Sequence, residues 1–378
     1  MGFQIIRPDT NFDFMGKRKI ALGISLAILL LGILSLMIKG GPRYGIDFAG
    51  GVIIQVQFDS QVDISTLQNI LEPTEMPELV VQTFGDRGDN EFLIRTAADG
   101  MSSMEVRDVT ESALLEQFQE QEFSFDRVEM VGPRVGDELW DAAMHALFYA
   151  VLLLSIYISG RFEDKWFIAG FMAAGLALGV YLLKFLAVPV AFLILGAMLI
   201  ALLFTWYLRL CFAMGAVLAL IHDVLITVGI FSLLNKEIDL SIVAALLTIM
   251  GYSLNDTIVI FDRIRENMRR KISTSLSETI NVSINQTLSR TIVTSGTTLM
   301  VVLSLLILGG GIIHDFAFAL LVGVLAGTFS SVFVAGSTLM ALRPTMPIEE
   351  EEEEEEESHE GATSRTWSST GRPPSFER

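Results

Sequence analysis

Residues 248–267 read TIMGYSLNDTIVIFDRIREN. The stretch closes a long apolar run that includes Ile242 to Leu247, yet it carries Tyr252, Ser253, Asn255 and Asp256 before apolar residues resume at Ile258 to Phe261. This pattern puts a carboxylate inside a membrane-spanning helix. On a helix Tyr252 and Asp256 share one face, four residues apart, with Ser253 beside them. A carboxylate near mid-span costs about 2.5 to 3.5 kcal/mol on insertion scales, so a chain keeps one for a structural or functional reason.

Working outward, the composition agrees with a membrane protein. Of 378 residues 51% are apolar and the mean hydropathy is +0.53, values that fit a polytopic membrane chain and not a soluble domain. The single Cys211 offers no internal disulfide and no Cys-based metal site, and reads as a packing residue. His145, His222, His314 and His359 are scattered without HExxH or similar spacing, which argues against a zinc site. The net charge of −18 is uneven: residues 40–137 hold 19 acids against 6 bases, and residues 343–378 hold 11 against 4. Two acidic soluble pieces thus flank a membrane body, and nothing invites nucleic acid.

Lys17, Arg18 and Lys19 precede an uncharged run from Ile20 to Ile38, long enough to span and too long for an ordinary signal-peptide core. With no small-residue cleavage site after it, residues 1–39 read as a cytoplasmic N-terminus and a retained first transmembrane helix. Residues 40–137 then form a domain on the far side. Strand-like runs at 51–58, 78–84, 91–96 and 124–131 alternate with helix-like runs at 63–71 and 103–121, an order βαββαβ that predicts a ferredoxin-like α+β domain. The glycines of GIDFAGG (45–51) suit a tight turn, since no helix follows directly as a phosphate-binding fingerprint requires.

A second transmembrane helix is expected at 138–162. Apolar runs from Trp166 to Leu183 and Phe185 to Leu208 predict a further hairpin of two spans within 163–209. Residues 210–342 read as four more spans, giving eight. The basic cluster Arg263, Arg265, Arg269, Arg270 and Lys271 belongs in the cytoplasm by the positive-inside rule, in step with the count from the N-terminus. Apolar residues every four positions from Ile272 to Leu288 predict an amphipathic helix (272–288) on the cytoplasmic interface, with Ser275 and Glu278 as a capping box; the next span starts at Arg290. Gly323 and Gly327 form a GxxxG pair that permits close helix contact. The nine glutamates at 349–357 and the polar residues after them predict a disordered cytoplasmic tail over 343–378.

Polar groups in the spans fall on three helices: His222 with Asp223; Tyr252, Ser253, Asn255 and Asp256; Arg290 with Thr294, Ser295, Thr297 and Thr298. Ionisable groups in membranes face a bundle interior or a wet cavity and pair with one another, so these residues are candidates for a proton relay. A carboxyl in low-dielectric surroundings favours its neutral form and an approaching cation its ionised form, so movement of Arg290 relative to Asp256 would switch proton uptake and release. One charge crossing 100 mV supplies about 2.3 kcal/mol. The plainer alternatives are a snorkelling anchor for Arg290 and a buried structural hydrogen-bond pair for His222 and Asp223.

Five motifs carry a family resemblance: GIDFAGG (45–51), VGPRVG (131–136), AVLALIHDVLITVGIFSLL (216–234), AALLTIMGYSLNDTIVIFDRIREN (244–267) and INQTLSRTIVTS (284–295). Over residues 17–342 the chain resembles the SecF half of the SecD/SecF protein-export family, a branch of the RND transporters. The resemblance implies a six-span core that pairs with SecD, a periplasmic first domain, and proton-motive-force-driven help to preproteins leaving SecYEG, with YajC, YidC and membrane lipids as further neighbours. It implies a bacterial inner-membrane location with both termini cytoplasmic, no enzymatic activity, and no cofactor besides the proton gradient. The family's proton-pathway Asp and Arg correspond to Asp256 and Arg290. Two departures stand out: Ala49 replaces a usual Thr, and about 45 residues intervene between Arg161–Glu163 and Phe212, where the family has almost none.

Two other functions compete. A proton-coupled small-molecule exporter of the wider RND type would carry two large periplasmic domains and duplicated halves, whereas this chain has one of each. An intramembrane aspartyl protease using Asp223 and Asp256 would place them in Tyr-Asp and Gly-x-Gly-Asp contexts, whereas here they follow His and Asn.

Overall fold

The computed structural model describes residues 11–163 and 205–342, with residues 75, 78, 85–89, 98–100 and 120–121 excepted, together with a few single positions between 170 and 203. The expected hairpin over 166–208 lies almost wholly outside the described residues, and the glutamate-rich tail lies entirely outside them. Six described helices are long and apolar enough to cross a membrane. The molecule is a polytopic helical membrane protein with a small α/β domain after its first helix.

Helix α1 (Phe14–Lys39) starts at Asp13, whose side chain accepts from the Gly16 amide, and stops at Gly40. The φ of 76° at Gly40 is left-handed backbone that a side chain would strain. Its partner α6 (Cys211–Leu233) is apolar all round and sits at the centre of the bundle. The two helices meet backbone to backbone: a Cβ on Gly32 would fall 2.7 Å from Gly229 Cα. Helix α5 (Pro133–Glu163) packs on α6 through aromatic contacts in which Phe162 stacks on Phe212 at 5.6 Å and Phe261 meets both edge-on.

Helix α7 (Leu240–Arg269) runs unbroken for 30 residues from an Asp239 N-cap. Helix α8 (Leu276–Leu308) is likewise continuous, which corrects the expectation of a separate interfacial helix over 272–288 followed by a new span at Arg290. No Gly or Pro interrupts residues 276–295, and Ser283, Thr287 and Thr294 return their hydroxyls to carbonyls of the preceding turn. The four-residue apolar stripe is not lipid-facing either: Ile280 and Ile284 are buried with Met15 and Leu339. The Ser275–Glu278 capping box does not form; Ser275 makes no side-chain cap, and Glu278 accepts from Ser273 instead. Helix α9 (Gly310–Ser330) passes through a π-helical turn, Ser331–Ala335, into α10 (Gly336–Leu342).

Within the α/β domain, β1 (Arg43–Tyr44) and the one-turn α2 (Ile46–Ala49) lead into β2 (Gly51–Phe58), α3 (Ile64–Leu71), β3 (Val80–Phe84), β4 (Glu91–Thr96), α4 (Ser103–Leu115) and β5 (Phe123–Val131). The sheet order is β3-β4-β2-β5 and all neighbours are antiparallel. Alternate residues Val52, Ile54, Val56 and Phe58 turn inward onto Leu67, Leu71, Val106 and Leu114 of the two helices. The helix expected over 103–121 ends at Leu115. Its start is a capping box in which Ser102 and Glu105 bond reciprocally, and the Ser102 amide holds the Glu105 carboxyl below its ordinary range. A two-residue parallel pairing ties β1 to β6 (Glu237–Ile238), in the loop before α7.

Candidate functional site

Two carboxylates lie buried in the bundle, each bonded by hydroxyls from a neighbouring helix. Asp223 on α6 is fully buried. Its Oδ1 lies 2.9 Å from His222 Nδ1, and its Oδ2 accepts from Ser253 Oγ at 2.5 Å and Ser330 Oγ at 2.8 Å. His222 reaches on through Nε2 to Ser25 Oγ of α1 at 2.6 Å. One carboxylate therefore gathers α1, α6, α7 and the end of α9 into one polar node, in keeping with the rule that buried polar groups are paired.

Asp256 on α7 is 3% exposed and makes looser bonds. Thr294 Oγ1 lies 3.5 Å from its Oδ1 and Ser295 Oγ 3.3 Å from its Oδ2, both from α8. Ser295 in turn bonds Thr328 of α9 at 2.8 Å. The two networks adjoin, because Ser253 and Asp256 are three residues apart on α7 and Thr328 and Ser330 two apart on α9. Gly327 makes this approach possible: a Cβ there would lie 2.8 Å from Ser253 Cβ.

The predicted residues divide. His222, Asp223, Ser253, Asp256, Thr294 and Ser295 come together as the polar patches suggested. Asn255 does not: it is exposed on the outer face of α7, because adjacent residues on a helix point about 100° apart. Tyr252 points inward, and its hydroxyl is buried without a hydrogen-bond partner among the described residues. Arg290 is exposed and forms no ion pair with Asp256 or any other described residue. Thr297 is exposed and bonds only backbone carbonyls of its own helix. Sequence reasoning missed Ser25, a single hydroxyl in an otherwise apolar stretch, and the polar role of Thr328 and Ser330, which cluster with Ser331.

The arrangement can hold and exchange protons inside the membrane. Both carboxylates accept from hydroxyls, which both donate and accept, so the networks can reorganise as a proton arrives or leaves. Among the described residues no group of three His, Cys, Asp or Glu side chains could hold a metal ion.

A multi-pass helical bundle with carboxylates in its interior and one small α/β domain after its first helix defines a polytopic helical membrane protein. Comparison with known proteins narrows the class. Family models match at residues 110–184 and 178–345 (protein export membrane protein SecD/SecF, C-terminal) and at 35–62 (the SecD/SecF GG motif). The chain is 40% identical over 345 residues to the protein translocase subunit SecF of Magnetococcus marinus, covering 90% of this chain and 95% of the relative. It is 36% identical over 340 residues to the SecF of Vibrio alginolyticus, covering 90% and 92%. It also resembles the crystal structure of SecDF, a translocon-associated membrane protein from Thermus thermophilus, with a TM-score of 0.65 and 31% identity over 89% of this chain. The chain belongs to the SecD/SecF family of protein-export membrane proteins, on its SecF side. It spans 39% of the length of that SecDF chain.

Proposed function

We propose that this protein is the SecF subunit of the auxiliary complex of the Sec translocase, acting with SecD to use the proton gradient to complete preprotein translocation through SecYEG. Likeness to SecF subunits along nearly their whole length supports the subunit assignment. The observation that carries the gradient-driven part is Asp256, buried in the bundle and bonded only by hydroxyls of Thr294 and Ser295. A carboxylate placed for structure alone is expected to have a tight cationic or amide partner. Asp256 has neither among the described residues.

The complex resides in the bacterial inner membrane with both termini in the cytoplasm. The bases at 17–19 and 263–271 lie on that side, and the α/β domain is periplasmic. The βαββαβ order and the β3-β4-β2-β5 sheet support a ferredoxin-like reading of that domain. The chain performs no covalent chemistry and needs no cofactor besides the gradient. The apolar runs Trp166 to Leu183 and Phe185 to Leu208 are each long enough in sequence to span, which supports a count of eight. YajC, YidC and lipids are its other neighbours.

The test is Asp256→Asn, which keeps shape and removes titration. Expressed with SecD in energised inner-membrane vesicles, the variant assembles normally and loses gradient-stimulated completion of export. Parental stimulation in Asp256→Asn would make Asp256 structural and overturn the reading.

A further inference from the structure

The GIDFAGG motif and the loop before α7 make no hydrogen bond to either carboxylate, yet they meet each other in a set of polar contacts. Asp47 of α2 accepts the Leu240 amide through Oδ2 at 3.0 Å, so a residue 193 positions away helps cap the N-terminus of α7. Gly45 donates to the Ile238 carbonyl at 2.9 Å. Glu237 takes Arg95 of β4 at 3.0 Å, Arg43 of β1 at 3.6 Å and the Gln82 amide of β3 at 3.3 Å. Arg95 also donates to the Tyr44 carbonyl at 3.0 Å. Glu237 and Arg95 are 23% and 18% exposed, so the pair is shielded from full solvent screening. The outer face of the sheet is thereby tied to the loop that starts α7.

The knuckle behind these contacts is tightly packed. Trp140 of α5 sits 4.8 Å from the Tyr44 ring and 5.4 Å from the Phe48 ring. A Cβ on Gly136 would lie 2.8 Å from the Phe48 carbonyl oxygen, so α2 rests directly on the backbone of α5. From Leu240 the helix runs unbroken to Asp256, about 24 Å along the axis at 1.5 Å per residue.

We propose that Asp47 and Glu237 form a latch through which the α/β domain grips the N-terminus of α7, so that displacement of the domain and displacement of the Asp256 region are mechanically coupled. Both are positioning residues acting through α7. The latch rests on the gradient-driven reading of Asp256. Its physical warrant is a continuous rigid element with one end held by the domain and the other carrying the buried carboxylate.

The test uses the full chain with SecD in vesicles, in a Cys211→Ser background with spin labels at Ser112→Cys on α4 and Leu234→Cys on the loop, both exposed positions. The parent gives one narrow label distance. Glu237→Gln, which loses charge but keeps shape, and Asp47→Ala, which loses the cap, broaden it. They also lower gradient-stimulated export by about fivefold or more, the lower end of coupling between sites, while gradient-driven proton flux persists. Asp47→Asn, whose side-chain oxygen still accepts the Leu240 amide, stays at the parental level. Unchanged distances in both variants would overturn the latch, as would broadened distances with parental export. Loss of flux together with export would make the contacts merely structural and overturn it too. Asp256→Asn in parallel separates the failures: if it loses stimulation while Glu237→Gln and Asp47→Ala keep it, the latch falls and the proton reading stands.

Discussion

Ser253 Oγ stands 2.5 Å from Asp223 Oδ2, joining α6 to α7 three residues before Asp256. The fully buried carboxylate is thus an anchor for the helix that carries the second one. Asp223→Ala removes the acceptor for Ser253 and Ser330 together and the partner of His222 Nδ1; Ser330 keeps the Gly327 carbonyl, but the Ser253 hydroxyl and His222 Nδ1 are left unpaired, at about 1 to 3 kcal/mol for each. Ser253→Ala removes one bond and is expected to cost about 1 kcal/mol. Thermal unfolding of the purified complex in detergent should rank the two in that order; equal losses would argue against Asp223 as the shared acceptor.

Gly327 sets the approach of α9 to α7. A side chain there meets Ser253 Cβ at 2.8 Å and Cα at 3.3 Å, and backbone does not yield cheaply. Gly327→Leu should push the helices apart and separate Ser295 from Thr328, with a lower Tm and loss of gradient-dependent activity together. A Gly327→Leu protein with parental Tm would rule out this packing.

Phe261 is fully buried where α5, α6 and α7 converge on Phe162 and Phe212. Phe261→Ala should destabilise by about 3 to 5 kcal/mol through lost burial and a residual cavity. Denaturant titration in mixed micelles would measure it.

Arg290 offers a cleaner separation of structure from function. It is exposed and has no ion pair among the described residues, so Arg290→Ala should change stability by no more than about 0.5 kcal/mol. Proton-coupled export should fall nonetheless, since Arg290 lies one turn before Thr294, the residue that bonds Asp256. Parental export in Arg290→Ala would leave it a snorkelling anchor.

Glu105 gives a pH dependence whose sign follows from the capping box. Its folded pKa is depressed by bonds from Ser102, so the stabilisation is present above the unfolded carboxylate pKa and is lost as pH falls through the folded value. Amide exchange in the first turn of α4 should accelerate over that acidic window in the parent. In Glu105→Gln that pH dependence should disappear.

Six of the expected spans, the domain's strands and helices, and the buried carboxylates were legible because each is written in local periodicity: 18 or more apolar residues for a span, alternation for a strand, a charge inside an apolar run. The continuity of α8 was less legible. A four-residue apolar stripe looks the same whether lipid or protein covers it, and only the packing of Ile280 and Ile284 against Met15 and Leu339 decides.

The sequence alone thus determined that this is a multi-pass membrane protein with Asp223 and Asp256 inside it, since the bilayer constrains composition one segment at a time. Only the tertiary structure decided what those carboxylates touch. Ser25 meets His222 across 197 residues, Ser330 meets Asp223 across 107, and Asp47 caps α7 across 193. It also turned Asn255 outward while its neighbour Asp256 turned in. Such contacts depend on how closely helices approach and how each is rotated about its axis, which glycine positions and side-chain packing fix jointly and no single segment encodes.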